Sequence, residues 1–403
     1  MATPRVNFTT QLQQFRIISW ADFQRVFAPQ ISGTVSGHLC VDTLYKATVG
    51  QDFPKIPGLP KEGLILGSQL WSLSSLKLRD MIPTALRKDV KMSKGGPGGS
   101  AAQAIVQFDE GTCVRPVFYI GHDKLGDFLK EHFKQHGLAW RQLRLSKEKN
   151  QTSETAARER AGQNAFRDFI HEIGANYELT AKSFRRGDFL RKAFFHIGGN
   201  FLCPNLDLLK VFRMAKRVNP RIQTSLDTVF DFTGGWCLPE GLQEVLDVLT
   251  MDLLEAGSIA GIKVDKKKFS EDTAARILNH FMEMGFRTVV IKLGKQGSIG
   301  CEAGLGAIRM PVCDVVDYAQ PDLRFTTGSG DVFSGVLVDC LARGLDLDIS
   351  MGLATAAANF KLKHRGGELG IPGNYFRGIV EYYNALAAQT STRHLNLPRI
   401  ETP

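Results

Sequence analysis

From about residue 98 onward the chain alternates between two hydrophobic periods, and that alternation constrains the fold more than any other feature. Ala101 to Phe108 reads as a helix, Arg115 to Ile120 as a strand and Lys124 to His136 as a helix. Ala193 to Ile197, Ile222 to Leu226 and Thr288 to Leu293 are short β-rich runs, each joined to the next by helical sequence. Strands separated by helices of about 10 to 15 residues imply right-handed β-α-β units and a mostly parallel sheet with helices on both faces. With 403 residues, 43% of them apolar, the chain has material for one large α/β domain with additions or for two ordinary domains.

Two stretches break the alternation. Residues 45 to 95 are irregular, with Pro54, Pro57 and Pro60 close together, and only Leu70 to Leu86 reads as helical. Prolines that dense exclude a central strand. Arg141 to Arg167 is a polar stretch of small and charged residues. Residues 1 to 30 form an N-terminal extension, weakly amphipathic through Phe15, Trp20, Phe23 and Phe27, and 386 to 403 form a C-terminal tail.

Charge and cysteine usage narrow the class. The net charge of +9 is spread in short clusters, such as Lys266-Lys267-Lys268 beside Asp265, and suits a protein that handles phosphates as well as one that meets nucleic acid. A solvated basic face is the reading taken, with no nucleic-acid partner. Seven cysteines are dispersed without a C-x-x-C pair, which fits reduced thiols better than a disulfide framework or a zinc site. MATPRVNFTTQLQQF carries no uninterrupted apolar core for export, and no run of about 18 apolar residues occurs. The expectation is a cytoplasmic protein with no membrane partner.

The densest chemistry lies in Phe325-Thr326-Thr327-Gly328-Ser329-Gly330-Asp331-Val332-Phe333-Ser334-Gly335. Two glycines one residue apart permit a tight turn, and the apolar-periodic Val332, Phe333, Val336, Leu337 and Cys340 that follow make it the start of a helix. A helix N-terminus with free amides binds anions. An ordinary N-cap also calls for Ser, Thr or Asp, but one such residue suffices, and this segment offers four around two glycines. A carboxylate just beyond an anion hole can take a proton from an attacking hydroxyl while the amides hold a transferring phosphoryl group.

TTGSGDVFSG resembles the T-G-A-G-D signature of ribokinase-like, PfkB-type carbohydrate kinases. The resemblance implies Asp331 as catalytic base and Gly328, Ser329 and Gly330 as the anion hole. Other blocks stand in the family's order. Gly98-Gly99-Ser100-Ala101-Ala102-Gln103 resembles G-G-x-x-x-N at the sugar site, with Gln103 in place of asparagine. Gly37-His38-Leu39-Cys40-Val41-Asp42 resembles the first strand, whose closing aspartate binds substrate hydroxyls. Gly121 to Gly126 is similar to the G-x-D-x-x-G turn, Ile170 to Asn176 to the return from the lid, and Val290 to Gly297 to the strand and turn under the nucleotide.

The resemblance implies a ribokinase-like α/β fold with a small β lid, here from about 43–97 and 141–180, within a kinase domain over 31–385. It implies ATP and Mg²⁺ as cofactors and a small sugar-like substrate. Asp42, Gly98, Gly99 and Gln103 would hold the acceptor, and Lys292, Gly294, Gly297 and Thr327 the nucleotide. Glu255 and Asp252, where relatives carry N-x-x-E, would serve the metal, since carboxylates at i and i+3 share a helix face and Mg²⁺ prefers oxygen. Phe325 replaces the acid of the family's D-T-T-G. An adenosine-like nucleoside kinase, a non-catalytic sugar- or nucleotide-binding relative, and a homodimer through the lid remain open.

Some motifs have plainer readings. Gly96-Pro97-Gly98-Gly99-Ser100-Ala101 satisfies G-x-G-x-x-A, but the charged Lys88 to Lys94 precedes it where a dinucleotide fingerprint requires an apolar strand. His171 and His196 lack ligand spacing and read as packed histidines, and Trp236 reads as loop or core packing.

Overall fold

Val289 and Ile291 face one way from their strand and Val290 the other, and all three are fully buried. A strand buried on both faces needs helices above and below it. The computed structural model describes residues 18–46, 91–109, 111–159, 167–228, 237–265, 270–312, 327–362 and 375–392. In chain order the strands are β1 (Ile31–Gly37), β2 (Cys40–Lys46), β3 (Lys91–Gly95), β4 (Thr112–Val117), β5 (Tyr119–Ile120), β6 (Arg144–Leu145) and β7 (Glu154–Glu159). They continue as β8 (Arg167–Glu172), β9 (Phe194–Gly198), β10 (Gln223–Asp227), β11 (Val248–Asp252), β12 (Thr288–Lys292), β13 (Ser298–Glu302) and β14 (Ile308–Met310). The α-helices are α1 (Trp20–Phe27), α2 (Pro97–Phe108), α3 (Lys124–Gln135), α4 (Leu208–Val218) and α5 (Leu253–Ile259). After these come α6 (Glu271–Glu283), α7 (Ser329–Ala342), α8 (Leu347–Lys361) and α9 (Tyr375–Thr392).

The central sheet runs β14-β13-β12-β11-β10-β9-β1-β4. From β4 to β12 neighbouring strands are parallel, and β13 and β14 close one side antiparallel. One face is covered by α4, α5 and α6, where Leu208, Val211, Phe212 and Ala215 form the buried stripe of α4 at helical spacing. The opposite face carries α1, α2, α3, α7, α8 and α9 over two further apolar clusters. A smaller sheet, β3-β2-β7-β8, stands apart from the first. This is the α/β architecture expected, a mostly parallel sheet covered on both sides with a small β sheet attached. Among the described residues no helix is long and apolar enough to cross a membrane.

Several local expectations shift. Asp42 does not close the first strand. After Gly37 the backbone turns, His38 N donates to Gly198 O, and Val41 pairs with Ser153, so Asp42 lies inside β2 of the small sheet. Lys91 to Gly95, read as charged non-strand sequence, forms β3 antiparallel to β2. Within the N-terminal extension, Phe23 and Phe27 of α1 are buried in the core, with Phe27 edge-on to Phe108. The expected helix at Leu70 to Leu86, Trp236, Phe325, Thr326 and the stretch 47–90 lie outside the described residues.

Candidate active site

Asp227, Asp252, Lys292 and Gly198 are each the last residue of a parallel strand, so their side chains or backbones gather at the carboxyl edge of the sheet. Open α/β sheets bind ligands at that edge. The N-terminus of α7 meets it there. Its N-cap is Gly328, in the left-handed region at φ 80° and ψ −2°, where a residue with a Cβ would be strained. No side chain caps this helix, although serine, threonine and aspartate all stand nearby. The capping explanation of the motif therefore fails, and the helix start keeps the character of an anion site. Thr327, one residue earlier, has a buried hydroxyl oxygen with no hydrogen-bond partner.

Asp331 sits in the first turn of α7 and Ser100 in the first turn of α2. Burial raises the Asp331 pKa, while Lys292, Lys94 and Lys361 pull the other way, as does the Ser100 hydroxyl. A carboxyl so placed is a better proton acceptor than an exposed one, yet three ammonium groups favour its ionised form.

Lys292 reaches beneath the same turn. Its Nζ donates to both Asp227 carboxylate oxygens, at 2.6 and 2.9 Å, and to Ser334 at 3.4 Å. Burial works against its charge, but Asp227, Glu255 and Asp331 outweigh that and raise its pKa. A methyl group on Gly330 would lie 3.5 Å from this ammonium, which places it directly under the candidate anion hole. Asp227 is pushed up to about 6, chiefly by burial, with Lys292 opposing and Asp331 adding to the rise.

On the acceptor side, Asp42 is buried and pushed up to about 6 by burial, against the Cys40 hydrogen bond and Lys94. The Cys40 thiol donates to Asp42 at 3.3 Å and lies 3.2 Å from the Thr155 hydroxyl, which in turn meets His171 Nδ1 at 2.8 Å. Gly98 and Gly99 are buried where α2 meets β1. A Cβ on Gly98 would come within 2.6 Å of Ser36 O, and one on Gly99 within 2.5 Å of Leu39 Cδ1. Gln103 is wholly buried; its Oε1 accepts from His132 Nε2 at 3.0 Å, and its Nε2 has no partner. Asp331 adds to the rise at Asp42, and Ser100 of α2 acts on Asp331, so β2, α2 and α7 converge on one place.

A cavity of about 270 Å³ opens beside this cluster. Lys292, Gly294 and Gly297 form one wall, and Phe333, Thr355 and Asn359 another. Gly294 and Gly297 thus stand together with Lys292, as expected for one ligand segment, and Ser329 and Gly330 join the cavity to the turn. The Thr355 hydroxyl is buried without a partner.

Asp252 and Glu255 adopt a different geometry from two acids on a helix face. They form a capping box at the β11–α5 junction: Asp252 Oδ1 accepts from the amides of Leu254 and Glu255 at 2.8 Å, and Glu255 Oε2 accepts from Asp252 N at 2.9 Å. Thr228 also donates to Glu255 Oε2, at 3.0 Å. Burial, then Asp252, lifts the Glu255 pKa well above the usual carboxylate range, with Lys292 opposing. A buried, proton-hungry carboxylate beside Asp227 fits a hydrated Mg²⁺, which takes oxygen donors and would relieve that repulsion. Asp252, engaged as the cap, fits a supporting part.

Burial brings the pKa of His171 and of His196 to about 3, with Lys292 adding to the shift at His196. His171 meets Thr155 and His196 meets Ser225, as packed histidines do, and the described residues hold no cluster of three metal-ligating side chains. The sequence reading missed Lys94, Ser100, Asp227 and Lys361. Lys94 lay in a stretch read only as charged and not an apolar strand, and Lys361 ends an apolar helix; neither carries a local signal that separates it from a surface lysine.

Comparison with known proteins agrees with the fold. The family profile described as pfkB family carbohydrate kinase matches residues 74–373. A ribokinase of Staphylococcus aureus (strain COL) is 25% identical over 284 residues, covering 69% of this chain and 84% of that protein. The structure of Arabidopsis thaliana ribokinase complexed with ribose and ATP superposes with a TM-score of 0.64 at 17% identity, covering 88% of this chain and 99% of the other. A ribokinase from Cryptococcus neoformans in complex with ADP also gives a TM-score of 0.64, at 19% identity, over 88% and 99% of the two chains.

Proposed function

Because the chain belongs to the pfkB family of carbohydrate kinases, we propose that it transfers the γ-phosphoryl group of ATP to a hydroxyl of a sugar or sugar derivative, with Asp331 as general base. One observation carries the reading: a carboxylate in the first turn of a helix whose start no side chain caps, above a buried ammonium and beside a cavity of about 270 Å³. The acceptor would lie between Asp42 and α7, with Gly98 and Gly99 letting α2 pack closely on Ser36 and Leu39 behind it and Gln103 supporting the wall. The nucleotide would occupy the cavity along Lys292, Gly294 and Gly297, with Thr327 near its phosphates.

Asp331 would remove the hydroxyl proton as attack begins, while the amides of Gly328, Ser329 and Gly330 and the Lys292 ammonium take up charge on the phosphoryl oxygens. Glu255, steadied by Asp252, would hold Mg²⁺ through its water shell. When bound, Mg²⁺ neutralises charge on the nucleotide phosphates. Walls of buried side chains around Asp331 keep out water that would compete as acceptor.

Asp331→Asn is expected to retain the fold and ADP binding and to lose roughly 10²–10⁴-fold in turnover, the range for a general base. ADP release across a panel of sugars, sugar acids and nucleosides identifies the acceptor to use. Near-normal turnover in the variant would remove Asp331 from the role assigned to it.

A further inference from the structure

Lys94 is fully buried, although it stands on a strand of the small sheet rather than in the central core. Its ammonium donates to Ser100 Oγ at 3.0 Å, and the Ser100 hydroxyl in turn favours the ionised form of Asp331. The three residues belong to β3, α2 and α7, so one chain of side chains crosses from the small sheet to the reacting group. Its direction follows from the groups themselves. An ammonium can only donate, and a serine hydroxyl has a single proton. With Lys94 filling one serine lone pair, the Ser100 proton is directed at the carboxylate.

Charge balance alone does not require this residue. Asp331 faces Lys292 from β12 and Lys361 from α8 as well as Lys94, and Asp42 from β2 and Asp227 from β10 lie within its field. Lys94 is distinguished by its bond to Ser100 and by its seat on the small sheet. Taking an ammonium out of water costs several kcal/mol unless good hydrogen bonds and opposite charge offset it, so a neutral residue of similar shape would be the simpler filling.

We propose that Lys94 is a positioning residue for phosphoryl transfer, orienting Asp331 through Ser100 so that the base is aligned only when β3 is seated against α2. The inference rests on Asp331 acting as base, and its test separates the two claims. Lys94→Met keeps the apolar stem and removes the charge; Lys94→Arg keeps a donor; Ser100→Ala cuts the middle link.

Turnover in Lys94→Met should fall roughly 10- to 100-fold, the size of effect that an ångström of misplacement brings, with the KM for ATP unchanged and with the thermal midpoint followed alongside. The acid limb of its kcat profile should move to higher pH, because a cation favouring the ionised carboxyl has gone. Ser100→Ala should lose a similar factor, the double variant should lose no more than either alone, and Lys94→Arg should recover part of the rate. Losses that multiply in the double variant, or an unmoved pH profile, would overturn the proposal, as would wild-type turnover in Lys94→Met while Asp331→Asn is inactive. If Lys94→Met does not fold, Ser100→Ala decides by the same readouts. Normal turnover in Asp331→Asn would instead overturn the base assignment itself.

Discussion

At Asp42 several groups contend over one proton. Burial lifts its pKa to about 6, Cys40 and Lys94 hold it down, and Asp331 pushes it up again. A hydroxyl donates best to the ionised form, so binding of the acceptor should weaken as pH falls through about 6, while binding of the nucleotide stays level. Measured as kcat/KM for the acceptor against pH, the limb should sit at that value; a flat profile between pH 5 and 7 would separate Asp42 from substrate. Asp42→Asn should raise the acceptor KM by roughly 10- to 100-fold, from the ~1.5–3 kcal/mol of a hydrogen bond to a charged group. That Asp42 would serve the acceptor was legible only by resemblance. Its place on the second strand was not, because nothing in Gly37-His38-Leu39 marks where the chain leaves one sheet for another.

Between elements, the C-terminal end of α7 is tied to the start of the chain by Arg343. Its guanidinium bonds Asp109, Asp339 and Thr112, donates to the carbonyls of Val26 and Pro29, and lies over the Phe27 ring. Burial and Asp109 raise the Asp339 pKa to about 7 against Arg343, so its protonated form favours the fold and that contribution is lost as pH rises through about 7. Arg343→Met strands two buried carboxyls and should cost about 3–5 kcal/mol at pH 8. At pH 5 the loss should be smaller, since Asp339 then carries a proton. Urea midpoints at the two pH values check this, and an equal cost at both would show that the charge is not what binds α1 to α7. Asp252 and Glu255 teach a related lesson. Acid-x-x-Glu before an apolar run is a capping-box pattern readable in the sequence, and β11 immediately upstream is what turns the pair inward.

For the molecule as a whole, the change of hydrophobic period carried the architecture, because a strand covered on both faces must be apolar throughout and a covering helix must show a stripe. The candidate site was half legible: the turn at 328–331 announces itself, whereas Lys94, Asp227 and Lys361 become site residues only through contacts between elements far apart in sequence. If the cavity beside α7 takes nucleotide, ADP at a hundred times its Kd should stabilise the fold by about 2.7 kcal/mol. The rise in thermal midpoint should persist in Asp331→Asn and be lost when Gly294 or Gly297 is replaced by a bulky residue; a rise unchanged in those variants would place the nucleotide elsewhere. The two ends of the described chain also meet. Asn384 of α9 accepts from Ile18 N and donates to Ile18 O, both at 3.0 Å, and Tyr383 and Ile379 pack into the cluster that holds Phe23 and Phe27. Since α9 is made after every other described helix, α1 gains Phe108 of α2 early but must wait for the contacts of Asn384, Tyr383 and Ile379. Assembly of this half of the core therefore cannot be complete until α9 has been made, and chains cut before α9 should leave the Phe23 and Phe27 cluster short of Ile379 and Tyr383.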